Sequence, residues 1–330
     1  MDDTLSLVGR AAIVTGAGQG LGRAEAVALA GAGADLVLND LPGDAIRETA
    51  QQIQAAGGHA VVAAGDVADW ATGEFLVAAA LSEYGRLDIL VNNAGVLRDR
   101  MVFSMSEQEW DQVIRVHLRG HFVTTRFATA HWREASKRSG EPVYARIVNT
   151  SSEAYLLGGP GQPNYAAAKA GIVALTVSTA RGCARYGVRA NAICPRARTA
   201  MTAEMMSAPP PEGPDPLDPR HVGPLVAYLA GPAAAGINGE VFVVHGGVAA
   251  VLEPPRIREV FSAAGPGSAA GPGSADDPGS ADGMWTLESV HRALGPSFAQ
   301  APGDPGYFCG DTMALATETI GFPRPTGAPQ

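Results

Sequence analysis

Seven short apolar runs, at residues 11–15, 35–39, 60–64, 88–92, 145–150, 188–194 and 241–244, alternate with longer helix-forming stretches. The runs read AAIVT, DLVLND or LDILVN, apolar at nearly every position instead of at every second one. A strand of that kind has to be covered on both faces, and Gly and Pro flanking the runs favour strand over buried helix. Strands alternating with helices predict an α/β protein with a doubly wound, seven-stranded parallel sheet. At 330 residues and 46% hydrophobic content, the chain is large enough to bury one sizeable core.

Directly after the first run comes Thr15-Gly16-Ala17-Gly18-Gln19-Gly20-Leu21-Gly22, which opens the next helix. Glycines there let backbone N–H groups approach a pyrophosphate, and the helix N-terminus adds partial positive charge. The strand before and the helix after make this a dinucleotide site of Rossmann type, with Gly16, Gln19, Gly20, Leu21 and Gly22 as candidate contacts. About 20 residues on, the second run ends in Asn39-Asp40. A carboxylate at that place accepts hydrogen bonds from ribose hydroxyls and repels a 2′-phosphate; the competing reading of Asp40 is a helix cap. No Arg or Lys follows it at once and Gln19 is neutral, so NAD is favoured over NADP. Asp66-Val67, after the third run, either meets the adenine edge or caps the next helix.

The chemistry-bearing residues lie further along. Tyr165 and Lys169 stand one turn apart in PNYAAAKAGIVALTVSTA, a helix-forming stretch, and only one other lysine, Lys137, occurs in the chain. An ammonium near a phenol favours phenolate, which makes Tyr165 the candidate general acid/base. The fifth run ends in Asn149-Thr150-Ser151-Ser152 at the carboxyl edge of the sheet, where open α/β proteins bind ligands. Ser152, 13 residues before Tyr165, is placed to hold a substrate oxygen, with Ser151 the less favoured neighbour.

A formal charge of -9 argues against nucleic acid as a partner. No apolar run reaches the length of a membrane span, and the acidic start MDD is unlike a signal peptide, so a cytoplasmic protein is expected. Three cysteines (Cys183, Cys194, Cys309) have no paired spacing, so neither a disulfide framework nor a metal site is predicted. Residues 1–252 form the expected catalytic domain. Residues 253–283 form a linker, its part 262–283 dominated by Gly, Pro, Ser and Ala, and residues 284–330 a tail. In the tail, Trp285, Leu287, Val290, Leu294 and Phe298 repeat at helical spacing, opened by Thr286; an amphipathic helix and a weakly ordered tail both fit.

These motifs together resemble the classical short-chain dehydrogenase/reductase family over roughly residues 5–250. The resemblance rests on the glycine loop, NNAG at residues 92–95, the Ser152/Tyr165/Lys169 set and the segment 195–199. It implies that Asn93, Ala94 and Gly95 line the adenosine side and steady the sheet, and that Pro195 and Thr199 touch the nicotinamide carboxamide. It also implies that Lys169 grips the nicotinamide ribose and that the protein assembles as a homodimer or homotetramer. Two positions depart from the pattern. His117, in VHLRG, stands where an Asn commonly completes a proton relay, so it either serves the relay through its backbone carbonyl or packs there. Arg196 stands where Gly commonly follows the proline and changes the charge near the substrate. Arg98, Arg100 and Arg196 are candidates for CoA phosphates, with surface salt-bridging the alternative.

The stretches GAGQGLGRAEAVALAGAGADLVLNDL, GRLDILVNNAGVLRDR, EWDQVIRVHLRGHF and GQPNYAAAKAG are similar to the (3R)-hydroxyacyl-CoA dehydrogenase unit of the peroxisomal multifunctional enzymes. That similarity implies hydride transfer between a secondary alcohol and a ketone on a 3-hydroxyacyl-CoA or steroid-like substrate, with a substrate loop over residues 200–218. The rivals are an NADPH-linked 3-oxoacyl-thioester reductase, against which Asp40 argues, and a non-catalytic dinucleotide-sensing or scaffold protein, against which the intact Ser152, Tyr165 and Lys169 argue.

Overall fold

The structure, a computed structural model, describes residues 3–203, 206, 208–261, 284–298, 311, 312, 314, 315 and 318. Its core is one eight-stranded sheet in the order β3-β2-β1-β4-β5-β6-β7-β8. The strands are β1 (Ala11–Thr15), β2 (Asp35–Asn39), β3 (Ala60–Val62), β4 (Ile89–Asn92), β5 (Ala145–Thr150), β6 (Val188–Pro195), β7 (Val241–His245) and β8 (Val248–Val251). The first seven are parallel, as expected. The eighth runs antiparallel to β7. Its origin is a tight reversal at Gly246, whose φ of 49° suits a residue without Cβ, and VAAV was too short and too close to β7 to be read as a separate strand.

The helices are α1 (Gly20–Gly31), α2 (Asp44–Ala55), α3 (Trp70–Tyr84), α4 (Glu107–Ile114), α5 (Gly120–Ser139), α6 (Ala154–Leu157), α7 (Pro163–Cys183), α8 (Gly223–Ala230) and α9 (Leu287–Phe298). Strand side chains alternate between two cores. Ala12, Val14, Leu36, Leu38, Ile89 and Val91 pack with Ala26 and Leu29 of α1, Ile46 and Ile53 of α2 and Val226 of α8. Ile13, Val37, Leu90 and Ile147 face the other way, onto Leu76 of α3, Ala128 and Trp132 of α5 and Ala180 of α7. This two-sided burial explains why the strands carry no polar face.

The strand order reverses direction between β1 and β4, and the carboxyl ends of these strands open a crevice there. NNAG holds that point together. Asn93 donates from Nδ2 to the carbonyls of Thr15 and Gly16, both at 3.2 Å, and Asn92 donates to Asn149 Oδ1 at 2.9 Å.

Residues Met1–Leu252 and Phe308–Pro323 form one compact unit, and Glu253–Tyr307 with Arg324–Gln330 another. In the second unit, α9 starts where Thr286 and Ser289 exchange hydrogen bonds, Ser289 N–H to Thr286 Oγ1 at 3.1 Å and Thr286 N–H to Ser289 Oγ at 2.8 Å. The linker 262–283 and Cys309 lie outside the described residues; Cys183 and Cys194 are free thiols. No described helix is long and apolar enough to cross a membrane, and no group of metal-ligating side chains occurs among the described residues.

Glu25, on α1, is fully buried, and neither carboxyl oxygen has a hydrogen-bond partner among the described residues. Burial pushes its pKa from 4.5 up to about 8, against the pull of Lys169. The folded chain therefore holds a proton that the unfolded chain has released between these two pH values, and stability falls as pH rises through that window. Glu25→Gln keeps the shape without the titration. Its thermal midpoint is expected to exceed that of the parent by roughly 5 °C at pH 8 and to match it near pH 4.5, measured by calorimetry.

Candidate active site

A cavity of about 560 Å³ runs along the carboxyl ends of the strands. Gly16, Gln19, Gly20, Leu21, Asp40, Asp66 and Val67 line one end; Ser152, Tyr165, Lys169, Pro195 and Thr199 line the other; Asn93, Ala94, Gly95 and His117 stand between. The Gly22 side is different. Gly22 lies beneath the loop, where an added Cβ would sit 2.1 Å from the Gly16 carbonyl, so its role is to let α1 pack against the turn.

The glycine loop is flush with its surroundings. A Cβ on Gly16 would meet Ala94 Cα at 2.8 Å, and Gly16 and Gly20 have φ of 66° and 54°. Gln19 occupies the N-cap of α1 without capping it through its side chain, so the first-turn N–H groups are left for an anion. Asp40 is fixed by two backbone donors, Gly18 N–H to Oδ2 at 2.9 Å and Leu41 N–H to Oδ1 at 2.8 Å. These features fit a dinucleotide: an open helix N-terminus for the pyrophosphate and a rigid carboxylate one strand away for the ribose.

With Asp69 as the N-cap residue of α3, Asp66 is not its cap. It lines the cavity and also accepts from Ala68 N–H at 2.9 Å in a local turn. Burial pushes its carboxyl up, but Arg115, 2.5 Å away, and the Ala68 N–H together hold it below the usual range. Arg115 also grips Asp69 at 2.6 Å. Sequence reasoning missed Arg115, because 49 residues separate it from Asp66 and no motif marks it.

At the chemical end, Ser151 and Ser152 both line the cavity. The Ser151 hydroxyl is buried and donates to the Lys169 carbonyl at 2.9 Å, whereas the Ser152 hydroxyl accepts from Ala154 N–H at 3.2 Å and hydrogen-bonds the Tyr165 phenol. Lys169 departs from expectation. Its Nζ lies 5.3 Å from the Tyr165 ring centre and donates to the Thr150 carbonyl at 2.6 Å. The lowering of the phenol by the ammonium is not observed: burial pushes Tyr165 up to about 12, opposed by the Ser152 hydrogen bond, and burial brings Lys169 down to about 7. Desolvation outweighs the one-turn spacing that sequence reasoning relied on.

His117 sits in a π-helical turn, Arg115–Arg119, between α4 and α5. Its ring packs edge-on against Tyr165, with centroids 5.2 Å apart, and Nε2 lies 2.8 Å from the Val96 carbonyl. Burial, then the charge of Lys169, depresses its pKa well below 6.5, so the ring is neutral. The side chain thus packs against the tyrosine and is tied to Val96.

The three arginines differ. Arg98 bonds Gln112 at 2.9 Å and Arg100 pairs with Glu109 at 3.0 Å, both at the surface. Arg196 is buried against Glu153, so the extra charge expected beside the substrate is neutralised. Of the substrate loop, Met201 and Met206 line the cavity, and Arg198 pairs with Asp215 at 3.0 Å.

The family model described as short chain dehydrogenase matches residues 10–209. The chain belongs to the short-chain dehydrogenase family. It is accordingly an oxidoreductase acting on CH–OH groups with a nicotinamide dinucleotide. The chain is 53% identical over 272 residues to the hydroxyacyl-CoA dehydrogenase ChsB1 of Mycobacterium tuberculosis, covering 80% of this chain and 86% of that one. It is 39% identical over 256 residues to the peroxisomal multifunctional enzyme type 2 of Mus musculus, covering 75% of this chain and 33% of that one. A short-chain dehydrogenase crystal structure from Mycobacterium avium matches with TM-score 0.71 and 41% identity over 89% of this chain and 94% of that one.

Proposed function

We propose that this short-chain dehydrogenase is an NAD-dependent 3-hydroxyacyl-CoA dehydrogenase. The observation that carries this reading is the single cavity that joins the glycine loop and Asp40 to Ser152, Tyr165 and Lys169. The substrate class is supported by the 53% identity to a hydroxyacyl-CoA dehydrogenase and by the apolar side chains Leu97, Val116, Leu157, Met201 and Met206 among those that line the cavity. Such apolar lining suits an acyl chain.

When bound, the nicotinamide supplies the hydride acceptor or donor. The chain's own residues do the rest. Ser152 holds the substrate oxygen by hydrogen bonding, and Tyr165 takes the hydroxyl proton at its phenolic oxygen in oxidation or returns it in reduction. Lys169, anchored to Thr150, would hold the nicotinamide ribose. His117 braces the Tyr165 ring. General acid/base assistance of this kind is worth ~10²–10⁴-fold, and positioning the substrate against the nicotinamide supplies the remainder. Exposed Trp110 and Phe122 beside the His117 turn support association into a homodimer or homotetramer.

The test is initial rates with NAD and NADP on a panel of 3-hydroxyacyl-CoA thioesters and hydroxysteroids. Turnover of a thioester with NAD, at least ~10²-fold faster than with NADP, is the expected result. Faster reduction of a 3-oxoacyl thioester with NADPH would establish the reductase instead. Tight NAD binding with no turnover would favour a sensor.

A further inference from the structure

The substrate end of the cavity contains a buried charge pair that the proposed chemistry does not use. Glu153 directly follows Ser152, Arg196 directly follows Pro195, and both line the cavity. Arg196 Nε lies 2.5 Å from one Glu153 carboxylate oxygen and Nη2 lies 2.6 Å from the other, with side chains 10% and 7% exposed. The same Nη2 donates to the backbone carbonyl of Thr312 at 2.5 Å. Thr312 is itself buried, and it belongs to Phe308–Pro323, which forms one compact unit with Met1–Leu252. Three residues on, Leu315 packs against the cluster of Ala192 and Cys194 of β6 with Val241 and Val243 of β7, on which Tyr155 of α6 and Val173 of α7 also pack. The chain thus returns, more than 100 residues after β6, to the loops that carry the site.

We propose that this C-terminal segment is a positioning strap for the substrate end, a reading that rests on the proposed dehydrogenase site. Through Thr312 it fixes Arg196, and through Leu315 it rests on β6 and β7. Through the Arg196–Glu153 fork it fixes, relative to each other, the turn that presents Ser152 and the segment that presents Pro195 and Thr199. A two-point guanidinium–carboxylate contact sets orientation as well as distance, which one hydrogen bond does not. Arg196 Nη1 already lacks a hydrogen-bond partner among the described residues, so losing the Thr312 carbonyl leaves a second donor group of a buried guanidinium less satisfied and disturbs the fork itself. Thr312 acts through its backbone, which is why truncation, not a point variant there, is the informative change.

The test compares the full chain with one ending at Tyr307, each with Arg196 and with Arg196→Met. Steady-state rates are read with a short-chain and a long-chain 3-hydroxyacyl-CoA, NAD affinity by fluorescence titration, and amide exchange at residues 153–157 and 196–199. Truncation is expected to lower kcat about tenfold, because the reacting oxygen is less well placed, while NAD affinity stays within about twofold. In the Arg196→Met background the same truncation is expected to change kcat less than about twofold, since the strap acts through that side chain. Exchange in both segments is expected to rise on truncation. Multiplicative losses, or a truncated chain with unchanged rate and exchange, would overturn the strap. A full chain inactive on every thioester would overturn the substrate reading alone, because the exchange comparison still decides the strap. If Arg196→Met fails to bind NAD, Leu315→Asp in the full chain replaces it, with the same kcat loss and exchange gain expected.

Discussion

Tyr165→Phe is expected to lower kcat by about 10³-fold or more while leaving NAD affinity within about twofold. The substitution removes one oxygen. It leaves the ring that packs against His117 and the position of Lys169, whose Nζ is held by Thr150 and not by the phenol. A loss confined to kcat would therefore report the proton transfer and not the cavity's shape. The pH profile gives a second reading. Burial raises the Tyr165 pKa to about 12, so in the unliganded cavity the phenol is protonated across the usual range. Alcohol oxidation draws on the phenolate and its rate is expected to climb steadily from pH 6 to pH 10; ketone reduction uses the phenol as acid and is not expected to climb. Single-turnover rates in both directions check this. An oxidation rate independent of pH, with the chemical step limiting, would remove Tyr165 as the base.

The second large effect concerns the coenzyme. Asp40 is held by two backbone N–H groups, which oppose its swinging aside for a 2′-phosphate. Its neighbour Leu41 is 62% exposed and borders the same cavity. Asp40→Ser with Leu41→Arg removes the fixed negative charge and supplies a guanidinium at the rim. The ratio of kcat/KM for NADP to that for NAD is expected to rise by on the order of 10³-fold, through loss of a charge repulsion and gain of a charge-assisted hydrogen bond. Each contribution is worth about 2 kcal/mol, which together give that factor. An unchanged ratio would show that coenzyme choice resides elsewhere in the cavity. Gly18 is the neighbouring constraint: an added Cβ there would lie 2.8 Å from Asp40 Oδ2, so Gly18→Ala is not a neutral control.

Local patterns made the parallel strands and the glycine loop legible, because both depend on residues close in sequence. An all-apolar run such as AAIVT, flanked by Gly, fits a strand covered on both faces better than a buried helix, and a glycine turn between it and a helix has few other uses. The spacing of Tyr165 and Lys169 likewise placed both on one face of α7, and the strand end placed Ser152 beside them. The edge strand β8 escaped because four alternating residues after a glycine reversal carry too little pattern.

What the sequence by itself determined is the set of groups and the order of the elements that carry them: the loop at 15–22, Asp40, Ser152, Tyr165 and Lys169 in an alternating β/α chain. What only the tertiary structure decided is the state and partners of those groups. Whether Lys169 acts on Tyr165 or on Thr150, whether Arg196 is a surface cation or a buried fork on Glu153, and whether Glu25 is charged all depend on desolvation and on contacts across many residues. Burial raises or lowers a pKa by removing water, and water is excluded by the whole packed body. No local spacing records that exclusion, so it is visible only once the chain has folded around the group.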